Sequence, residues 1–310
     1  MITTVTLNVA IDKAYQIQGV LTPGEVMRVT QCINTAGGKG LNVAKVVALC
    51  KEDVMATGFA GGHTGAHVEE LLDEAGVANE FVKIKGESRC CINILDENSK
   101  STEFLEPGAT VSDAEIRVFK TLFKELIAKS DVITISGSVP KGVPTTIYAD
   151  MVNMAKEQRK KVILDTSGEL LKEGIKALPS MVKPNIDELE FLLGTKISSR
   201  DQVVEAAVKL HKQGIPYVVV SLGGEGALMV CNQGVYRGVP PKLDAVNTVG
   251  CGDSMIAAFA VSFSREFDEE EALRFATAVS AANAMSPKTG DFDEAVFKRI
   301  YPPVIVEKFA

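Results

Sequence analysis

Short β-branched runs alternate with apolar runs at helical spacing along most of this chain, and that alternation confines it to a small group of folds. Ile2–Leu7 reads as a strand and Leu41–Leu49 as a helix. His67–Ala75 reads as an amphipathic helix closed by Gly76. Ala114–Lys129 carries Ile116, Phe119, Leu122, Phe123, Leu126 and Ile127 on one helical stripe. The pattern continues through strand Val132–Ile135, helix Thr145–Lys156 and strand Val162–Leu164, which ends at Asp165. Helix Val203–Gln213 stops at Gly214, strand Tyr217–Ser221 follows, and helices come after Asp253 and over Glu269–Met285. Such alternation predicts an α/β fold with a mainly parallel sheet covered by helices on both faces. Ligands of such sheets gather at the carboxyl ends of strands, which directs attention to Ser138, Asp165 and Ser221.

Two segments break the alternation. Val26–Ile33 and Cys91–Leu105 are extended in character, the second with a turn over residues 96–100. Strands without accompanying helices predict a small sheet serving as a lid over a site that must exclude water; an edge hairpin of the main sheet is the alternative. The net charge of −7 argues against binding nucleic acid or an anionic membrane, so positive charge for an anionic ligand must be local. No basic leader precedes an apolar stretch, and no apolar run approaches the ~20 residues that cross a bilayer. The six cysteines form no CxxC pair, consistent with free thiols in a reducing compartment. His63 and His67 have chelating spacing but no third ligand nearby. A cytoplasmic protein is the expectation.

Four stretches carry candidate chemistry. Asn247–Ser254 (Asn-Thr-Val-Gly-Cys-Gly-Asp-Ser) places Asp253 at a helix mouth behind two glycines, followed by the apolar run Met255–Phe263. Backbone N–H groups facing an anion, beside a carboxylate base, are what phosphoryl transfer needs; a plain helix cap is the structural alternative. Ala36–Asn42 contains Gly37-Gly38-Lys39-Gly40 and opens a helix, yet lacks the Walker pattern because Ile33 and Gly40 stand where that loop requires Gly and Ser/Thr. Lys39 opposes the positive helix end there, which favours an anion-binding role over a stabilising one. Lys183–Leu189 sets a polar cluster at a helix start, with Glu188 in the first turn. Ser221–Ala227 joins two strands, its glycines forming either a hairpin turn or a nucleotide contact.

In this order, Gly-Gly-Lys-Gly, Asn-x-x-Glu at Asn185–Glu188, Ser-Leu-Gly-x-x-Gly from Ser221 and Gly-x-Gly-Asp-Ser from Gly250 resemble the ribokinase-like sugar kinases of the phosphofructokinase B family. The resemblance runs from Leu7 to about Gly290. Thr6–Asp12, Ala36–Asn42 and Ser136–Pro140 look like the tagatose-6-phosphate kinase and 1-phosphofructokinase branch, which acts on phosphorylated ketohexoses. Ser88–Leu95 and Glu106–Gly108 look closer to the tagatose group. Val9 departs from a common proline and Cys251 from a common alanine, both small apolar exchanges.

The resemblance implies a ribokinase-like three-layer α/β/α core from residues 1–10, 36–86 and 109–310, with a β lid from 11–35 and 87–108. It implies ATP- and Mg²⁺-dependent conversion of D-tagatose 6-phosphate to the 1,6-bisphosphate, with fructose 1-phosphate as the alternative substrate. Asp253 would be the base, and Gly250, Cys251 and Gly252 the anion hole. Asp12, Gly38, Lys39 and Asn42 would hold the sugar, with Lys39, Arg89 and Ser138 on its existing phosphate. Lys183, Asn185, Ser221, Gly223, Gly226 and Asn283 would line the ATP site. Glu188 and, second to it, Asp165 would serve magnesium. A homodimer through the lid is implied by analogy. A non-catalytic sugar-phosphate sensor is the rival of another class, and a ribose or nucleoside kinase the rival within the fold.

Overall fold

A computed structural model describes every residue except Ser99, in the turn expected at 96–100, and Ala310. The main sheet starts with β1 (Ile2–Thr6), while β2 (Ala10–Ile17) and β3 (Val29–Gly37) leave it for a second sheet. Next come β4 (Val54–Gly61) and β5 (Ala78–Ile84) of the main sheet, then β6 (Arg89–Leu95) and β7 (Ser101–Leu105) of the second. The main sheet is completed by β8 (Val132–Ser136), β9 (Lys161–Asp165), β10 (Met181–Val182), β11 (Tyr217–Ser221), β12 (Ala227–Cys231), β13 (Gly234–Val239) and β14 (Ile305–Lys308).

Its ten strands run β14-β13-β12-β11-β10-β9-β8-β1-β4-β5. Neighbours from β5 to β11 are parallel, and β11 through β14 are antiparallel. The parallel strands are Val/Ile-rich because both their faces are covered. Successive connections depart from β1 in opposite directions, towards β4 and towards β8, which opens a crevice at the carboxyl ends of β1 and β8.

Helices α1 (Lys39–Leu49), α2 (Gly62–Glu74), α3 (Asp113–Lys129), α4 (Ile147–Glu157), α5 (Gly168–Gly174), α6 (Ile186–Leu193), α7 (Arg200–His211), α8 (Cys251–Ser264), α9 (Glu269–Ala284) and α10 (Glu294–Ile300) divide between two cores. One gathers Leu41, Val47, Val68, Leu72, Phe259 and Leu273 from α1, α2, α8 and α9. The other gathers Phe119, Phe123, Tyr148, Leu189 and Leu210 from α3, α4, α6 and α7. Every residue of α8 from Asp253 to Phe263 is buried. A helix apolar on all sides belongs in the interior, and this one carries its first turn to the crevice.

The second sheet, ordered β3-β2-β6-β7, is separate from the first, as expected, and the edge-hairpin alternative fails. Its second strand in sequence, β3, begins at Val29, so Val26–Arg28 lies outside the strand expected from Val26. α2 begins at Gly62 rather than His67, where the glycines had hidden its first turn. His67 pairs with Glu70, and among the described residues no three His, Cys, Asp or Glu side chains gather as a metal centre. Among the described residues no helix is long and apolar enough to cross a membrane.

The Ser221–Ala227 stretch is a hairpin, with Ser221 opposite Ala227 and Leu222 N donating to Gly226 O at 2.8 Å. Gly226 has φ +89°, and a Cβ there would stand 1.9 Å from the Gly238 carbonyl oxygen on β13. Its glycine is therefore explained by strand packing, not by room for a nucleotide. Gly226→Ala should cost about 2 kcal/mol or more from backbone strain and collision, read as a lower denaturation midpoint. A variant as stable as the parent would mean that the hairpin does not pack this way.

Candidate functional site

The parallel register delivers polar residues to one edge. β9 and β10 pair with Leu164 opposite Val182, so the next residues along, Asp165 and Lys183, are neighbours. Lys183 Nζ lies 3.3 Å from Asp165 Oδ1, and Lys39 Nζ, at the start of α1, lies 3.7 Å from Asp165 Oδ2. Asp165 and Lys183 are buried, whereas the Lys39 side chain is 44% exposed. The Asp165 charge raises the Lys39 pKa against the opposing effect of burial, with Asp253 and Glu188 adding to the rise. Two ammonium groups thus share one carboxylate at the crevice.

Gly250 precedes α8 with φ +80°, and no side chain caps the helix. Asp253 is therefore not the cap, and the first-turn N–H groups have no carbonyl within the helix to serve. The Cys251 N–H donates only over 3.4 Å, to Thr248 O. A Cβ on Gly252 would stand 3.2 Å from Lys183 Nζ, which puts that ammonium over the same helix end. Positive helix end, free donors and lysine together make an anion site.

Asp253 is buried, and its Oδ2 accepts from Asn42 Nδ2 at 2.8 Å. Burial, then the negative charge of Asp165, push its pKa up to about 6; Lys39, the Asn42 hydrogen bond and Lys183 oppose the rise. Asn42, expected on the sugar, holds the Asp253 carboxylate in place. Cys251 is half-buried, its thiol pKa raised by burial.

Asn185 and Glu188 form a reciprocal capping box on α6: Glu188 N donates to Asn185 Oδ1 at 2.8 Å, and Asn185 N to Glu188 Oε2 at 2.9 Å. Burial, then Asp165, raise the Glu188 pKa despite the Asn185 N–H and the two lysines. Its Oε1 is left for another partner. Asp165, already balanced by two ammonium groups, is the poorer metal ligand.

Asn283 departs from expectation. Its Oδ1 accepts from Ser254 Oγ at 3.0 Å, Gly290 N at 3.1 Å and Asp291 N at 3.3 Å, while Nδ2 donates to Val249 O at 3.1 Å and Cys251 Sγ at 3.4 Å. A fully buried and saturated amide braces the Val249–Cys251 loop from behind and has nothing left for a nucleotide. Gly223 lies in the hairpin turn, with open space where a Cβ would stand. Ser221 ends β11 beside it, its N–H donating to Pro184 O at 3.2 Å.

On the side of the second sheet, Asp12 Cγ would be 2.1 Å from a Cβ on Gly37. Its pKa is raised by burial and opposed by Lys45, Arg89 and the Gly38 N–H. Arg89 donates from Nε and Nη2 to Asn8 O, at 3.2 and 3.1 Å, and from Nη1 to Glu106 O at 3.1 Å. Asn8 in turn donates to Pro107 O at 3.4 Å and to the exposed Ser138 Oγ at 3.3 Å. Lys39 and Arg89, expected to grip one phosphate together, have separate partners. Sequence reasoning assigned no site role to Asn8 or to Lys45, though a lysine inside the buried run Leu41–Val47 was a visible signal.

A buried carboxylate near neutrality beside an anion-holding helix end defines a phosphoryl-transfer class of site. The chain belongs to the pfkB family of carbohydrate kinases, whose family model matches residues 5–295. It is 41% identical over 309 residues to a tagatose-6-phosphate kinase of Staphylococcus epidermidis, covering 99% of each chain. The fold matches phosphofructokinase-2 of Escherichia coli in complex with potassium, with TM-score 0.91, 31% identity and coverage of 97% of this chain and 98% of that one. It also matches a possible 1-phosphofructokinase of Thermotoga maritima, with TM-score 0.87, 26% identity and full coverage of both. The protein is a sugar phosphotransferase with a ribokinase-like fold.

The raised Asp253 pKa has a sign for stability. The folded state holds this proton to higher pH than the unfolded chain, so the contribution is intact below the ordinary value of 3.8 and lost as pH rises through about 6. Asp253→Asn should therefore be about 1–3 kcal/mol more stable than the parent at pH 8, and the gap should close towards pH 4. Denaturant unfolding at the two pH values checks this; a destabilised variant at pH 8 would contradict it.

Proposed function

We propose that the protein transfers the γ-phosphoryl group of ATP to a hydroxyl of a ketohexose phosphate, with D-tagatose 6-phosphate converted to the 1,6-bisphosphate. The observation that carries this reading is Asp253, a buried carboxyl group held by Asn42 at the uncapped N-terminus of α8, where burial raises its pKa. The choice of sugar is supported by the identity to the Staphylococcus epidermidis enzyme over nearly the whole chain. Fructose 1-phosphate is the second candidate, favoured by the full-length likeness to the Thermotoga maritima protein.

In this mechanism Asp253 takes the hydroxyl proton as the sugar oxygen bonds to the γ-phosphorus. The bond from that phosphorus to the bridging oxygen breaks, and ADP leaves with its electron pair. Gly250, Cys251 and Gly252 N–H groups hold the charge that develops on the γ-oxygens. Lys39 and Lys183, both near the helix end, neutralise it further. Asn42 keeps the Asp253 carboxylate aimed. Asp12 and Gly38 lie where sugar hydroxyls would be read, and Arg89, with N–H groups to spare, and Ser138 lie where the existing phosphate would be held.

The nucleotide would lie along Asn185, Ser221 and Gly223. Glu188 fits Mg²⁺, since one half-buried carboxylate with a free oxygen suffices for an ion held mainly by water and phosphate. Bound there, Mg²⁺ would supply neutralisation of negative charge on the phosphates. Asp165 serves instead as the counter-charge of the lysines. We assign residues 1–10, 36–86 and 109–310 to the catalytic core, and 11–35 and 87–108 to a lid that closes over the sugar. Exposed Val29, Ile33, Phe104 and Leu105 on that sheet suit a homodimer through the lid. Free cysteines throughout suit the cytoplasm.

Side-by-side kcat/KM values for tagatose 6-phosphate, fructose 1-phosphate and fructose 6-phosphate test the assignment. Tagatose 6-phosphate should lead; turnover of unphosphorylated sugar alone would overturn it. Arg89→Ala should raise KM for the sugar phosphate by about tenfold or more, as for loss of a charged hydrogen-bond partner. An unchanged KM would remove Arg89 from the phosphate site.

A further inference from the structure

Lys45 has no place in the mechanism above, yet its position is unusual. It lies on α1 three residues after Asn42, among buried Val43, Ala44, Val46 and Val47. A charge there is costly unless it is paired. Its Nζ donates to the carbonyl oxygens of Ala36 and Thr289, each at 3.2 Å. Ala36 belongs to the last turn-in of β3, two residues before Gly38. Thr289 belongs to the loop beneath the anion hole: a Cβ on Gly250 would meet Thr289 Cγ2 at 2.7 Å and Gly290 N at 3.1 Å. Gly290 N also donates to Asn283, which braces the same loop. Asp12 on β2, Asp253 on α8 and Asp291 after the loop all act on the ammonium with opposite charge.

We propose that Lys45 is a positioning residue that ties the sugar-side strand β3 to the loop supporting the anion hole, so that seating the sugar and forming the hole are coupled. The proposal rests on the kinase reading for its consequence, and on the two hydrogen bonds for its geometry. One ammonium joins segments that share no strand pairing. Without it, two part-buried carbonyls lose this donor and the 286–291 loop loses its tether to α1.

The test uses three variants of the full chain. Lys45→Met keeps the length and removes the donors, and Lys45→Arg keeps the charge and donors. Gly290→Ala attacks the tie from the other side: Gly290 has φ +64°, and a Cβ there would meet Asn42 Cα at 3.0 Å and Lys45 Cε at 3.1 Å, wedging the loop off α1. Hydrogen exchange without substrates should rise by about tenfold over residues 247–252 and 286–291 in Lys45→Met and Gly290→Ala, the equivalent of losing one or two buried hydrogen bonds. In the same variants kcat should fall by about tenfold or more while KM for ATP stays within about threefold. Lys45→Arg should restore both readouts. Parental exchange and kcat in a folded Lys45→Met overturns the proposal; if that variant does not fold, parental values in Gly290→Ala overturn it. A parent protein that turns over no sugar phosphate sinks the kinase reading instead, and the exchange measurement still decides the tie.

Discussion

Asp165 is one buried carboxylate shared by two ammonium groups, and the rest of the site depends on that imbalance. Lys183 at 3.3 Å and Lys39 at 3.7 Å bring more positive charge than Asp165 removes. Lys183 Nζ stands over the first turn of α8, 3.2 Å from where a Cβ on Gly252 would be, and that helix end is itself positive. In a protein of net charge −7, these two ammonium groups and the helix end bring positive charge to a cluster that also holds the Asp253 and Glu188 carboxyl groups. The pairing is set by backbone register, since β9 and β10 run in parallel and end side by side. The sheet therefore fixes the electrostatics before any side-chain rotamer is chosen.

The second constraint is burial. α8 sits in the interior because all its faces are apolar, and it carries Asp253 inward with it. A carboxyl group so placed keeps its proton to about pH 6, whereas an exposed one would be a much weaker base. Lys39, Lys183 and Asn42 limit the rise, so the group stays ionisable at neutral pH. The same lysines that bring positive charge to the end of α8 thus limit the rise of the Asp253 pKa.

Much of this was legible in the sequence. The strand–helix alternation predicted the parallel sheet, and Gly250–Ser254 predicted a helix mouth, with the structure then showing no side-chain cap there. What stayed illegible depended on contacts distant in the chain. Gly226 reads as a loop glycine, yet the reason for it is the Gly238 carbonyl on the neighbouring strand. Asn283 is assigned to the ATP site by the resemblance, and only its five hydrogen bonds show the amide saturated. Asn185 and Glu188 carry one spacing that serves a capping box and a ligand site equally. β4, with glycines at 58 and 61, and the two-residue β10 are too irregular or too short for periodicity to register. The resemblance groups Lys39 and Arg89 on one phosphate, whereas in the fold each has its own partners.

The central claim is that Asp253 is a buried carboxylate poised near neutrality at the end of α8. A carboxyl-carbon NMR titration of the aspartate-labelled protein measures it directly, with Asp253→Asn supplying the assignment. A resonance that titrates at about pH 6 and vanishes in the variant is the predicted result. A resonance titrating at the ordinary aspartate value of about 3.9 would contradict the account.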